Sequence, residues 1–477
     1  MNIYKFIKSE CGSGKTHCVI KLVNATPQDK YIIVQGKIDL LNQTFSTIKG
    51  GKLINAETEP CNVERAINDF LLNSSSRVLG ITSKSFFKID PSLLVGWKIF
   101  LDDVVNFHKY KSINEGNVKI KSLLEEDIFQ VSDAVSNKYD LVLKKKDIKG
   151  ELCQLLSKSF EEIDINDHFI INNSYFNKKS IVIDNVTIST YDNVAQLTML
   201  GWIDITKYSN CDLTFMANRF DESLLYKSNP NMFVETTFDG LRKRLVPVSQ
   251  RLKVKYFSKK KVLSKDFRNV HRECFDKVVA YIDNELKDKS FYYTRNDKET
   301  FTMRGEYVPV DTRGMNNLLQ YDTCVWMASC RPYTVEAKMT ELFFGISGDD
   351  LVSQREYQSL EQFVQRGVLR DFYSTTVMTV YVFDEQQALS LGTTNIEYID
   401  LGIDDIKSKQ VGHPRSEVPL NLRNAFSQWF GRKSDSDNIL VLYKKWKAKQ
   451  IQKYPDEDFS SFDEKIWEHI QMSKTLT

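Results

Sequence analysis

The chain has 477 residues, is 42% hydrophobic and carries 65 basic against 63 acidic residues, a net charge of +2. That length predicts roughly two to four domains; the near-neutral balance excludes a uniformly basic surface, so a nucleic-acid partner needs a local basic groove, and no apolar run approaches the ~18 residues of a membrane span. Eight cysteines without a C-x-x-C pair, and only six histidines, exclude a disulfide scaffold and a zinc site and predict reduced thiols in a cytoplasmic protein.

The first element is "NIYKFI", apolar and β-branched, as a buried strand should be. Gly12-Ser13-Gly14-Lys15-Thr16 follows. It matches G-x-x-x-x-G-K-[ST] with Ser9 in place of the first glycine. Glycines at 12 and 14 let the backbone turn tightly and bring its N–H groups to phosphate oxygens. Lys15 is expected on the β and γ phosphates of ATP and Thr16 on Mg²⁺. Cys18, Val19, Leu22 and Val23 have helical spacing, so a helix starts on the phosphates. With the loop this early, neither a signal peptide nor an upstream adenine-reading element is expected.

Two further strands are predicted, "KYIIVQGK" and "SRVLGITSK". Their polar ends, Gln35 and Lys37, then Thr82, Ser83 and Lys84, fall at the carboxyl edge where parallel sheets bind ligands. "GWKIFLDDVV" then delivers Asp102 and Asp103 from a buried strand. Asp102 suits Mg²⁺, and Asp103 suits polarising an attacking water.

In this order the motifs resemble those of superfamily 2, the DEAD-like helicases and translocases. The resemblance covers about 2–105, 195–245 and 250–400. "CDLTFMANRF" is similar to the family's third motif, with Met216-Ala217-Asn218 where Ser-Ala-Thr is usual. "KSFYYTRNDKE", with Arg295, resembles the fourth. "VPVDTRGMNNLL" resembles the fifth through Arg313, Gly314 and Asn316, followed by another strand. "SLEQFVQRGVLRDF" resembles the sixth. There Gln362, Arg366 and Arg370 are spaced i, i+4, i+8, one face of a helix. The gap between the arginines is similar to that of phage and plasmid members. "TVMTVYVFDEQQ" is expected to be the last sheet strand.

The resemblance implies an α/β fold of two RecA-like parallel-sheet domains in tandem, residues 1–245 and 246–405, with a mostly helical accessory domain at 406–477. It implies catalytic roles for Lys15, Asp102, Asp103, Gln362, Arg366 and Arg370, ATP contacts from Gly12, Ser13, Gly14, Lys15, Thr16 and Gly314, and Mg²⁺ on Thr16 and Asp102. Nucleic acid is expected on Gln35, Lys37, Thr82, Ser83, Lys84, Arg295, Arg313 and Asn316. DNA is favoured, single-stranded or forked, with replication proteins as further partners and a bacterial host's cytoplasm as the setting for a phage protein.

Residues 108–195 exceed what the resemblance requires and read as an insertion. "VKIKSLLEEDIFQVSDAVSN" and "KKDIKGELCQLLSKSFEEI" have amphipathic helical spacing; "NKKSIVIDNVTISTYD" alternates like a strand pair. In the C-terminal stretch, Trp, Tyr and Lys in "SQWFGRKSDSDNILVLYKKWKAKQIQKY" suit either single-strand stacking or a small helical core, and the core is favoured. The alternative to a motor is a nucleotide-switched binding ATPase that does not unwind. A small-molecule kinase is disfavoured, having no use for the second sheet.

Overall fold

A computed structural model describes residues 4–73, 76–113, 129–136, 139–144, 166–172, 177–183, 186–192, 197–406, 420–433, 438–454, 459, 462–463, 465–467 and 469. The chain divides into two compact units, 1–404 and 405–477. No helix among the described residues is long and apolar enough to cross a membrane.

The larger unit holds two parallel sheets. In chain order the first is built from β1 (Tyr4–Lys8), β2 (Tyr31–Gln35), β3 (Gly51–Leu53), β4 (Val78–Thr82) and β5 (Lys98–Asp102). An inserted region follows, made of β6 (His108–Ile113), β7 (Phe129–Ser136), β8 (Tyr139–Lys144), β9 (His168–Asn172), β10 (Asn177–Ile183), β11 (Val186–Asp192) and β12 (Leu197–Trp202). The chain then returns as β13 (Asp212–Ala217) and β14 (Phe233–Glu235). The first sheet runs β14-β1-β13-β5-β2-β4-β3, every pair parallel. Its strands are apolar on both faces because helices cover both: Phe6, Val34, Leu101 and Phe215 fill one core, Ile7, Val19, Ile33 and Met216 the other.

The second sheet comprises β15 (Leu252–Tyr256), β16 (Tyr292–Arg295), β17 (Glu306–Tyr307), β18 (Thr323–Met327), β19 (Met378–Val382) and β20 (Ile396–Tyr398), ordered β17-β16-β18-β19-β15-β20 and again all parallel. The strand expected to be last, 378–382, is internal; β20 adds an edge beyond β15. The protein is therefore an α/β chain with two RecA-like parallel sheets in tandem.

The insertion departs from expectation. Residues 129–136, read as part of an amphipathic helix, form β7 in a five-stranded antiparallel sheet, β6-β12-β9-β8-β7. The register shifts between Val131 and Asp133 and again between Ala134 and Ser136. Such bulges break the two-residue alternation by which a strand is recognised. The expected strand pair is present as the hairpin β10–β11. The helical reading of 118–128 and 145–163 lies outside the described residues.

The insertion also packs on the second half. Ile170 and Leu200 are buried with Met339, and Trp202 meets Phe344 edge-on at 5.3 Å; both partners lie on the helix Thr334–Phe344. In the smaller unit, helices Leu420–Lys433 and Ile439–Ile451 enclose Phe426, Tyr443 and Phe462, with Trp429 and Trp446 packed against them. Those aromatics serve a core.

Candidate nucleotide site

Parallel register brings the carboxyl ends of five strands level. Lys8 pairs with Ala217, Met216 with Asp102, Asp102 with Gln35, and Gln35 with Thr82. The glycine loop leaves β1 at this edge and enters helix α1 (Lys15–Ala25). Gly12 and Gly14 have φ of 85° and 96°, a region open mainly to glycine, so the loop needs both. Ser9, in place of the first glycine, bonds its hydroxyl to that of Ser13 at 2.6 Å and accepts from Lys15 Nζ through its carbonyl at 2.6 Å.

Asp102 is 5% exposed and accepts two hydrogen bonds on Oδ2, from Thr16 Oγ1 at 2.7 Å and Gln35 Nε2 at 2.8 Å. Burial, and then the adjacent Asp103, raise its carboxyl above its ordinary value. Thr16 and Asp102 thus present two hard oxygen donors side by side, a fit for Mg²⁺, which takes one or two protein oxygens and completes its shell with water and phosphate. Asp103 has a left-handed φ of 55° and donates its N–H to Met216 O. For a non-glycine residue this costs of order 1 kcal/mol and turns the second carboxylate away from the strand line.

A cleft of about 420 Å³ lies over the loop. One wall is Gly12, Gly14, Lys15, Thr16, Asp102 and Asp103; the other is Gly314, Asn316, Arg366 and Arg370 of the second half. Arg370 lies so close over Gly12 that a β-carbon there would stand 3.0 Å from its Cδ. Burial, then the neighbouring Arg366, push Arg370 down to about 10. Arg366 is 5% exposed and donates to Met315 O at 3.2 Å.

Gln362 does not join the arginines. The helix that carries it ends at Val364, and Arg370 belongs to a short 3-10 turn, Val368–Arg370. The helical face expected through 362, 366 and 370 is therefore broken, and Gln362 lines a separate rear cavity of about 440 Å³. The break is steric: a β-carbon on Gly367 would stand 2.5 Å from Tyr321 O, so the chain here passes hard against the second sheet.

The residues expected on nucleic acid scatter. Gln35 is fully buried and bonds Asp102 and Thr44, so it faces the acidic strand end beside the glycine loop. Thr82 caps the helix Ser83–Phe86 by accepting from Ser85 N; Ser83 is half-buried and Lys84 exposed. Arg295 lies over the rings of Phe301 and Tyr307 at 5.8 and 5.1 Å. Lys37, Arg313 and Asn316 gather with Gly314 around a third cavity of about 750 Å³ between the halves. There Lys37 Nζ stands 3.2 Å from Asp311 Oδ2, and Arg313 holds the same carboxylate through Nε at 2.8 Å and Nη2 at 3.1 Å. Asn316 accepts from Arg370 Nη2 at 3.4 Å and also lines the cleft over the loop.

Burial acts to raise the Asp311 carboxyl, but the Arg313 hydrogen bonds and charge, helped by Lys37, overcome it and bring it down to about 2. A depressed carboxyl contributes stability above its unfolded value and loses it as pH falls through the folded one. The melting difference between wild type and Asp311→Asn is therefore expected to shrink between about pH 4 and 2. Scanning calorimetry across that range checks it.

Three residues escaped the sequence reading. Arg219, left-handed at φ 51°, pairs its Nε with Glu361 Oε2 at 2.9 Å, joining the third motif to the helix of the sixth. Arg244 holds Glu10 of the loop and the Leu369 carbonyl, and stacks 3.9 Å over Phe372. Arg251, 1% exposed, donates to the carbonyls of Val368, Asp371 and Thr376 at 2.9, 2.7 and 3.0 Å, fixing the segment that carries Arg370. The run Arg242-Lys243-Arg244 is the local signal for Arg244, and nothing local marks Arg251. Arg251→Ala removes three charge-assisted hydrogen bonds and a buried side chain and is expected to cost about 3 kcal/mol, read as a lowered denaturation midpoint.

No family model and no curated protein sequence matches the chain. Among solved structures it is similar to an XPD helicase (12% identity, 84% of this chain and 96% of that one, TM-score 0.47). It is similar also to S. tokodaii Xpd4 (12%, 83% and 96%, 0.44) and to S. cerevisiae Dbp5 bound to RNA and ADP BeF3 (11%, 83% and 85%, 0.36). The tandem RecA-like architecture rests on the strand order and register of the two parallel sheets themselves.

Proposed function

We propose that the protein is an ATP-dependent nucleic-acid translocase or helicase, with DNA the favoured track. The observation that carries this reading is that Arg366 and Arg370 of the second sheet line the same cleft as Gly12–Thr16 and Asp102 of the first. A nucleotide in that cleft touches both halves, so its hydrolysis changes what holds them together.

In this reading the loop N–H groups and Lys15 hold the phosphates. Thr16 and Asp102 would hold Mg²⁺, which would neutralise charge on the phosphate oxygens. Water attacks the γ-phosphorus as the bond to the β-phosphate oxygen breaks, the electron pair leaving with ADP. Asp103 accepts the water's proton. Arg366 and Arg370 stabilise charge that develops on the transferred group. Ser83, Lys84 and Arg295, clear of the cleft, remain candidates for the nucleic-acid backbone. Action in replication or recombination follows from the motif resemblance alone.

A nucleotide-switched binding ATPase that does not unwind is the second reading. It is favoured by contacts that tie the halves outside the cleft, Arg219 to Glu361 and Lys227 to Asp350 among them.

Steady-state ATPase activity without nucleic acid, with single-stranded DNA and with RNA separates the two. Strong stimulation by DNA, lost to background in Lys15→Ala, is the expected result. Turnover unaffected by any nucleic acid overturns the motor and favours the switch.

A further inference from the structure

Two cavities meet at one residue. Asp103 lines both the nucleotide cleft and the rear cavity of about 440 Å³, and no other residue lines both. The rear cavity is walled by Arg219 of the first half, by Arg313, Gln354, Arg355 and Gln358 of the second, and by His108–Tyr110 of the insertion. Gln354 and Arg355 reach it from a π-helical turn, Ser353–Tyr357, set into an otherwise α-helical stretch. Such turns add a residue to a helix and re-aim side chains, frequently at functional sites.

Phosphoryl transfer to water is roughly in line, with the attacking oxygen opposite the leaving ADP. The water therefore arrives, and orthophosphate forms, on the side of the γ-phosphate that faces away from the loop. Asp103 borders that side, and beyond it is the rear cavity. We propose that this cavity is the exit route for orthophosphate, with a transient anion site on Arg219, Arg313 and Arg355. The inference rests on the ATP-hydrolysing reading above.

The chemistry suits passage and not retention. Each guanidinium already faces a carboxylate: Arg219 has Glu361, Arg313 has Asp311, and Arg355 has the buried Glu336, with Nη1 2.8 Å from Oε2. A dianion meets donors whose charge is largely answered, so it binds weakly and leaves. Because the walls come from both halves and the insertion, the width of the exit changes with any movement between them.

Two wall positions outside the proposed catalytic set test this. Ser359→Trp fills the cavity, and Gln354→Glu places a negative charge on its wall. Acid-quenched single turnovers report chemistry; a fluorescent phosphate-binding protein reports release. Hydrolysis at the wild-type rate with release slowed fivefold or more in both variants is the expected result. Release that keeps pace with hydrolysis in both variants overturns the proposal. Calorimetric binding of inorganic phosphate in saturating ADP is expected to weaken severalfold in Gln354→Glu. If the wild type hydrolyses no ATP yet binds phosphate in this variant-sensitive way, the anion site stands and the ATPase reading falls. If it hydrolyses ATP but both variants bind phosphate like wild type, the anion site is wrong and the ATPase reading stands.

Discussion

Replacing Arg366 by Ala is expected to lower kcat for ATP about 10³-fold while KM stays within a few-fold. The guanidinium reaches the cleft from the second half and is 5% exposed, so its charge acts where water screens it little. A cation that meets the transferring phosphoryl group from a second body is typically worth 10³–10⁵ in rate. A loss confined to kcat marks an interaction made in the transition state; a loss in KM marks one made equally with bound ATP. Arg366 also donates to Met315 O, so a melting curve belongs beside the kinetics. Gly314–Asn316 keep their places in the cleft wall if that curve is unchanged.

The second large effect is on stability. Trp326 lies at the centre of β18, fully buried, and meets Phe363 edge-on at 5.4 Å beneath the helix that precedes Arg366. Trp326→Ala is expected to cost about 3–5 kcal/mol through lost burial and an incompletely collapsed cavity. The loss is read as a lowered denaturation midpoint. Trp326→Phe should cost under about 1.5 kcal/mol, because it keeps most of the packing and removes an indole N–H that has no partner. Equal losses in the two variants would mean that the part of the indole missing from both, and not the ring that Phe retains, sets the cost.

The sequence announced local features better than distant ones. The glycine loop was legible because its requirements, positive φ at 12 and 14 and a lysine at the helix start, are met within five residues. The acidic strand was legible for the same reason. Both parallel sheets followed from apolar runs alternating with helical spacing. Gln35 was misplaced because its strand end suggested a rim, whereas the neighbouring register with Asp102 turns its amide inward. Gln362, Arg366 and Arg370 looked like one helical face because nothing in their spacing reveals that Gly367 is pressed against Tyr321 O. The insertion's β7 was hidden by the bulges in its pairing with β8, and Arg251 acts on carbonyls more than 100 residues away, which no local pattern encodes.

The position of β1 also bears on how the protein is made. This strand lies between β13 and β14, so both its neighbours, 212–217 and 233–235, are synthesised more than 200 residues after it. At ~5–20 residues per second, roughly 10–45 s separate the emergence of the strand from that of its last partner. Throughout that interval the glycine loop lacks the strands that flank β1, while β7 and β8 of the insertion can already pair with each other. β1 thus precedes its partners in the chain yet is among the last strands of its sheet to be fixed, and no ligand of the loop can act as a folding aid before residue 235 has been made.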